Sequence, residues 1–277
     1  MKITPNVILY FIVLIVIIGL IYYVTRTIKE GFEKNAKKYL DGVDIIYWIN
    51  LERSKDRKKE MEKMLQDEVF GGIPKQRIIA YDGKTNIDSV FNKYVIENKN
   101  ATDLEYACLL SHLETIRTFN ETPYNVALIF EDDVTLEFKK YWRQSVKEII
   151  ENAPEDWDII LLGYTKTDLK SWNNVKMYEK LINGNYFSTL SYLVNKKCCK
   201  KLLENYKNNK YYLDKKYQHS SDIYMYKITN VYVYKYPYFT YETNNESTIH
   251  QDHVPDHDLS KRLIQKNYDN MGFWGWR

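Results

Sequence analysis

The chain is poor in the residues that build special backbones or covalent staples: its 277 residues hold 10 Gly, 6 Pro, 3 Cys and 5 His. Three cysteines, two of them adjacent at Cys198 and Cys199, cannot make the even, spaced framework of a disulfide-stapled secreted domain. They read as unpaired small apolar residues, and Cys108, inside an apolar stretch, reads as buried. So few glycines leave no Gly-rich loop of the kind that cradles phosphates. Net charge is scarce too. Forty Lys and Arg face 37 Asp and Glu, a formal +3, so no single-sign field points to a nucleic-acid partner.

What remains is ample for a core, with 44% hydrophobic and 15% aromatic residues. From Val7 to Val24 the sequence VILYFIVLIVIIGLIYYV carries no charge. At about 1.5 Å per residue it spans roughly 27 Å, close to the hydrocarbon thickness of a thin bilayer, and it reads as a single transmembrane helix. It is longer than the apolar core of a cleaved signal peptide, and no small-x-small cleavage site follows it. The expected organisation is an N-terminal anchor at 1–24, a polar stalk at 25–40 and a globular unit at 41–277. Arg26, Lys29, Lys34, Lys37 and Lys38 outnumber Lys2 across the anchor, which favours a cytosolic globular unit. Sequons at Asn100, Asn120 and Asn245 bear on the chemistry only if that unit is luminal.

The globular unit opens with DIIYWINL, a continuous apolar run suited to a buried strand. Met61, Met64, Leu65 and Val69 then recur at helical spacing on a charged segment, the pattern of a helix lying on a sheet. RIIAYDG at 77–83 predicts a second strand, Asp103 to Phe119 a helix, and VALIF at 126–130 another buried strand. DWDIILLGY at 156–164, a helix around Lys196 to Tyr206 and an alternating strand over 231–241 complete a more mixed second half. The order implies an α/β fold whose open sheet is mainly parallel in its first half.

VALIF runs directly into Glu131, Asp132 and Asp133, which sets three carboxylates at the C-terminal end of a central strand, where open α/β sheets bind ligands. Adjacent carboxylates repel one another, and a hard divalent cation, Mg²⁺ or Mn²⁺, relieves the conflict while holding a diphosphate. In an extended chain Glu131 and Asp133 project to one side and share the metal, with Asp132 facing the other way. The same residues also fit a solvated loop or a helix N-cap after a strand.

INLERSKDR at 49–57, ACLLSHLETI at 107–116, ALIFEDDV at 127–134, DWDIILLG at 156–163 and STLSYLVNKKCCKKLL at 188–203 occur in that order, with Asp222 shortly beyond. Together they resemble glycosyltransferase family 25, which includes bacterial lipooligosaccharide galactosyltransferases and collagen-type hydroxylysine galactosyltransferases. The resemblance covers about residues 44 to 250. It implies a nucleotide-diphospho-sugar transferase (GT-A-like) fold and an inverting, metal-dependent transfer of galactose or glucose from a UDP-sugar to a protein or glycan acceptor.

By the same resemblance Asn50, Arg53, Asp56 and Arg57 line the nucleotide pocket, Ser111 and His112 match the family's Leu-Ser-His step, and Asp222 is the catalytic base. Asp132 acts beside it through the sugar or through supporting contacts. An amide suits a uracil edge and guanidinium groups suit phosphate, although Arg53 and Arg57 also fit a solvated helix face. His112 also fits a histidine packed between helix and sheet, and Asp222 an N-cap. Cys198 and Cys199 replace a pair that is often Gly-Ala in relatives. His250, Asp252, His253, Asp256, His257 and Asp258 read as a hydrated tail rather than a zinc site, because Pro255 interrupts a helix that would align them. Two other functions use the same features: another metal-dependent nucleotide enzyme, or a membrane-anchored binding protein without turnover.

Overall fold

The computed structural model describes residues 14–24, 39–166, 175–181, 186–242 and 254–271. Its first half alternates strand and helix as the hydrophobic periods predict. β1 (Ile45–Leu51), α1 (Lys55–Met64), β2 (Lys75–Ala80), α2 (Ile87–Phe91), β3 (Tyr94–Val95), α3 (Asp103–Asn120) and β4 (Val126–Glu131) follow one another. The second half adds β5 (Val134–Thr135), α4 (Val146–Glu151), β6 (Ile159–Thr165), β7 (Tyr178–Lys180), β8 (Phe187–Asn195), α5 (Lys196–Leu202) and β9 (Tyr206–Lys207). β10 (Lys210–Tyr212), α6 (Ser221–Ile228), β11 (Val231–Tyr234), β12 (Thr240–Tyr241) and α7 (Val254–Met271) complete it.

Seven strands form one mixed sheet in the order β2-β1-β4-β8-β6-β11-β7. β2, β1 and β4 are parallel, β8 runs antiparallel to both β4 and β6, and β11 is again parallel to β6. β1 lies between two parallel neighbours with helices on either face, which is why it reads as an unbroken apolar run. Its side chains alternate between two cores. Ile45, Tyr47 and Ile49 pack with the α3 residues Leu110, Leu113 and Ile116, while Ile46 and Trp48 meet Met61 and Phe70 on the opposite face. α3 starts at a capping box in which the Thr102 hydroxyl accepts from the Glu105 N–H and the Glu105 carboxylate accepts from the Thr102 N–H.

Four expectations change. The strand expected over 231–241 is two: β11 stays in the main sheet, and beyond Pro237, which has no N–H to donate, β12 leaves it to pair antiparallel with β5. The helix expected to Tyr206 stops at Leu202, and a tight hairpin follows, with Asn208 and Asn209 both at positive φ (53° and 60°) between β9 and β10. The C-terminal segment is not a hydrated tail: α7 begins at Val254 with Pro255 in its first turn, and it buries Ser260, Ile264 and Tyr268. His250, Asp252 and His253 lie outside the described residues.

The fourth concerns the boundaries. Leu40 is buried and the Tyr39 carbonyl accepts from the Val146 N–H, so the globular body begins before Asp41. Most of the expected stalk and residues 1–13 of the expected anchor lie outside the described residues. Residues 14–24 are helical and exposed throughout, and among the described residues no helix is long and apolar enough to cross a membrane.

Beyond the end of β2, Gly83 lies against the first turn of α3. A Cβ there would stand 2.6 Å from the Asp103 carbonyl oxygen and 3.0 Å from the Leu104 Cα, both backbone atoms. Gly83→Ala must therefore separate the loop after β2 from the start of α3, and it is expected to cost about 1–3 kcal/mol. A thermal melt of the variant beside the native chain checks this.

Candidate active site

The site lies where the parallel strands β1, β2 and β4 end. The β1 to β4 register places Ile49 opposite Glu131, so Asn50 follows β1 into the same cleft as the acidic turn. Arg53 from the turn before α1, Arg57 from its first turn, Asp82 and Gly83 after β2, and Cys108, Ser111 and His112 from α3 complete its walls.

The chain turns at Asp132 and Asp133 before β5 begins, so the three carboxylates do not alternate as in a strand. Asp132 points into a bracing network. Its Oδ2 accepts from Asn50 Nδ2 (2.6 Å) and its Oδ1 from Arg57 Nη1 (2.9 Å). The Asn50 Oδ1 in turn accepts from Arg77 Nη2 (2.6 Å) and Nε (3.0 Å). The Asn50 amide is thus fully engaged by Arg77 and Asp132, and the expectation that it reads a base edge does not hold in this arrangement. Arg57 is 15% exposed and reaches within 3.9 Å of Asp133 Oδ2 as well, so it is not part of a solvated helix face. Burial disfavours its charge, but Asp133 and Asp132 outweigh that and hold the guanidinium firmly protonated.

Glu131 turns the other way. Its Oε1 accepts from Thr189 Oγ1 (2.5 Å) on β8 and stands 3.4 Å from His112 Nε2. Burial alone would raise this carboxyl, whereas His112 and Thr189 hold it below its ordinary range. His112 is packed between α3 and β8, its Nδ1 hydrogen-bonded to the Tyr192 hydroxyl (2.9 Å), but its Nε2 is buried without a hydrogen-bond partner. Ser111 has a structural role: its hydroxyl donates to the Ala107 carbonyl and accepts from the Tyr81 N–H, tying the end of β2 to α3.

Asp133 is the least satisfied of the three. Burial, then the charges of Glu131 and Asp132, push its carboxyl up to about 7 against the opposing pull of Arg57. Its Oδ1 is buried with no hydrogen-bond partner. An orphaned carboxylate oxygen beside a second, ionised carboxylate is the donor set that hard cations such as Mn²⁺ or Mg²⁺ take, so Glu131 and Asp133 fit a divalent metal. The turn itself is pinned from behind, because β12 pairs with β5 and the Glu242 N–H donates to the Asp133 carbonyl (2.9 Å).

Two expected residues stand apart. Asp56 is fully exposed on α1, 3.7 Å from Lys59, and does not line the cleft: its position at the helix start turns it to solvent. Asp222 sits beside the cleft without lining it. It is in the first turn of α6, whose N-cap is Ser220, so it is not the cap; its Oδ1 accepts from the Ile223 N–H and its Oδ2 from the Ser188 N–H (3.4 Å). The adjacent Ser221 hydroxyl lies 3.2 Å from Thr189 Oγ1, which links the start of α6 to Glu131. Arg77, Asp82 and Thr189 were not anticipated. Arg77 and Thr189 lie on strands, where only the register with a neighbour reveals a role. Asp82, paired with Arg53 at 2.6 Å, follows β2 as an ordinary turn residue.

The elevated Asp133 carboxyl fixes the sign of a pH effect. The folded chain keeps a proton there that the unfolded chain releases in the ordinary carboxylate range, so the stability contributed by protonation is lost as pH rises toward and through about 7. Asn mimics the protonated group. In metal-free buffer Asp133→Asn is therefore expected to melt above the native chain at about pH 8, with the gap closing toward about pH 5.

The family model described as "Glycosyltransferase family 25 (LPS biosynthesis protein)" matches residues 43–217. Procollagen galactosyltransferase 2 of Mus musculus is 29% identical over 187 residues, covering 62% of this chain and 29% of that protein. A glycosyltransferase 25 family member of Drosophila melanogaster is 28% identical over 187 residues, covering 63% and 30%. The match thus spans less than a third of the length of these relatives. Among solved structures, the inositol-1-phosphate CTP transferase from T. maritima is similar at 13% identity over 81% of this chain and 98% of that one. The TM-score of that similarity is 0.35. The ordered motifs and the family match agree, and the chain belongs to glycosyltransferase family 25.

Proposed function

We propose that this chain transfers a hexose, galactose or glucose, from a UDP-sugar to a hydroxyl of a protein or glycan acceptor, with inversion and with a divalent metal, on a GT-A-like fold. The observation that carries the reading is Asp133, whose orphaned, proton-retaining carboxylate shares with Glu131 the cleft where three parallel strands end. The names of the relatives favour galactose.

Glu131 and Asp133 would hold the metal, Mn²⁺ or Mg²⁺, which when bound would supply positive charge against the departing diphosphate. Asp132, fixed by Asn50 and Arg57, sets the angle of the turn and faces the donor only through its neighbours. Arg53, 40% exposed at the mouth, meets phosphate or ribose by exchanging its contact with Asp82. Ser111 and His112 form the wall behind the donor. Asp222 takes the proton from the acceptor hydroxyl as that oxygen attacks the anomeric carbon on the face opposite the departing UDP. The Ser188 and Ile223 N–H groups keep its carboxylate aimed from the side of the cleft.

The deciding experiment incubates the full-length chain with a panel of UDP-sugars, with and without Mn²⁺, and measures UDP release. Release with UDP-galactose or UDP-glucose that requires metal supports the reading, and no binding or release with any donor refutes it. Asp222→Asn is expected to lower transfer by about 10² or more while leaving UDP-sugar affinity nearly intact. An unchanged rate per folded molecule removes Asp222 as the base.

The same proposal keeps the apolar N-terminal segment as a single-pass membrane anchor. Its support is the uncharged apolar run from Val7 to Val24, of which residues 14–24 are helical and exposed. The basic flank favours a cytosolic catalytic domain. Expressed in a eukaryotic cell, the chain is expected to stay with membranes after alkaline carbonate washing. Glycosidase-sensitive mass at Asn100, Asn120 or Asn245 would put the domain in the lumen instead.

A further inference from the structure

One wall of the cleft carries a second donor set, which shares only Glu131 with the metal proposed for transfer. Cys108 and His112 are four residues apart on α3 and so share one helix face. Opposite them the end of β4 presents Glu131. The Cys108 Sγ, a ring nitrogen of His112 and a carboxylate oxygen of Glu131 lie within 4.8 Å of one another. Small rotations of the Cys108 and Glu131 side chains bring them to the roughly 3.5 Å separations that tetrahedral bonds of about 2.0–2.3 Å impose.

The second observation is His112. Its side chain is 1% exposed, its Nδ1 is hydrogen-bonded to the Tyr192 hydroxyl, and its Nε2 is buried with no hydrogen-bond partner, aimed at Glu131. A buried ring nitrogen whose one polar neighbour, Glu131 Oε1, stands 3.4 Å away is poorly satisfied, and a ring held through its other nitrogen is the usual arrangement of a metal-ligating histidine. Cys108 is half-buried, its Sγ 3.4 Å from Ser221 Oγ, and it lines the cleft, which gives an ion a route in.

The geometry points to a zinc site formed by Cys108 Sγ, His112 Nε2 and Glu131, with its fourth position open to the cleft. Sulfur, imidazole and carboxylate together suit Zn²⁺ and not the hard Mg²⁺ or Mn²⁺. On binding, the Cys108 thiol gives its proton to the buffer as the Zn–S bond forms. Because Glu131 cannot serve both ions at once, zinc displaces the metal used in transfer and inhibits. That consequence rests on the function proposed above, whereas the zinc site itself does not.

The test titrates the full-length chain, in detergent, with zinc against a chromophoric chelator, and repeats the titration with Co²⁺. One equivalent of zinc is expected, with a near-ultraviolet thiolate-to-cobalt charge-transfer band. Cys108→Ser and Cys108→Ala should weaken zinc by at least about tenfold and remove the band, while the buried Cys198 and Cys199 remain in place. His112→Gln should weaken zinc as well, and Asp133→Asn should leave zinc binding near native. In the UDP-release assay, zinc inhibition should be relieved by raising Mn²⁺, and Cys108→Ser should be less sensitive to zinc relative to its own zinc-free rate. Zinc affinity unchanged by Cys108→Ser, or weakened as much by Asp133→Asn, overturns the site. Inhibition that Mn²⁺ does not relieve overturns the shared role of Glu131. Zinc bound through Cys108 in a chain that releases no UDP from any donor leaves the zinc site standing and counts against the transferase reading.

Discussion

Three carboxylates on one turn, with a single guanidinium against them, are the constraint around which the rest of the cleft is arranged. Arg57 touches Asp132 and lies within 3.9 Å of Asp133, and its charge is felt by Glu131 as well. One positive charge cannot neutralise three negative ones, so the surplus is distributed. Glu131 keeps its charge through His112 and Thr189, Asp132 is hydrogen-bonded by Asn50 and Arg57, and Asp133 is left to hold a proton or a cation.

The fold supplies each of these partners from a different element. β1 brings Asn50, β2 brings Arg77, α1 brings Arg57, α3 brings His112 and β8 brings Thr189. The antiparallel insertion of β8 between β4 and β6 is what carries Thr189 to Glu131. The short β5 and β12 ladder holds the turn on its far side, and the loss of β12 from the main sheet frees it for that task.

The elements that positioned the site were legible in the sequence where burial is symmetrical. β1 and β4 are apolar on both faces and announce themselves, and α3 is flagged by its helical spacing. The break in 231–241 was hidden because Tyr238, Phe239 and Tyr241 stay buried after the chain changes sheets, so the apolar pattern continues across Pro237. α7 was missed because Pro255 signals a stop in a helix interior but is tolerated in a first turn. Within the site, residue types were readable and partnerships were not. Asn50 and Asp132 are separated by 82 positions, and only the register of β1 with β4 brings them together. Asp56 and Arg57 are neighbours in sequence, yet one helical step of about 100° sends the first to water and the second to the carboxylates.

The Asn50 amide has a direction. Its oxygen faces a guanidinium and its nitrogen faces a carboxylate, so the side chain works as an adaptor between two groups of opposite sign. Replacing the nitrogen by oxygen, the smallest possible change, would turn an attraction to Asp132 into a repulsion. An apolar side chain of equal size would leave both charged neighbours without their hydrogen bonds. The position therefore tolerates neither acid nor hydrocarbon, and its chemistry is set by strands on either side of it.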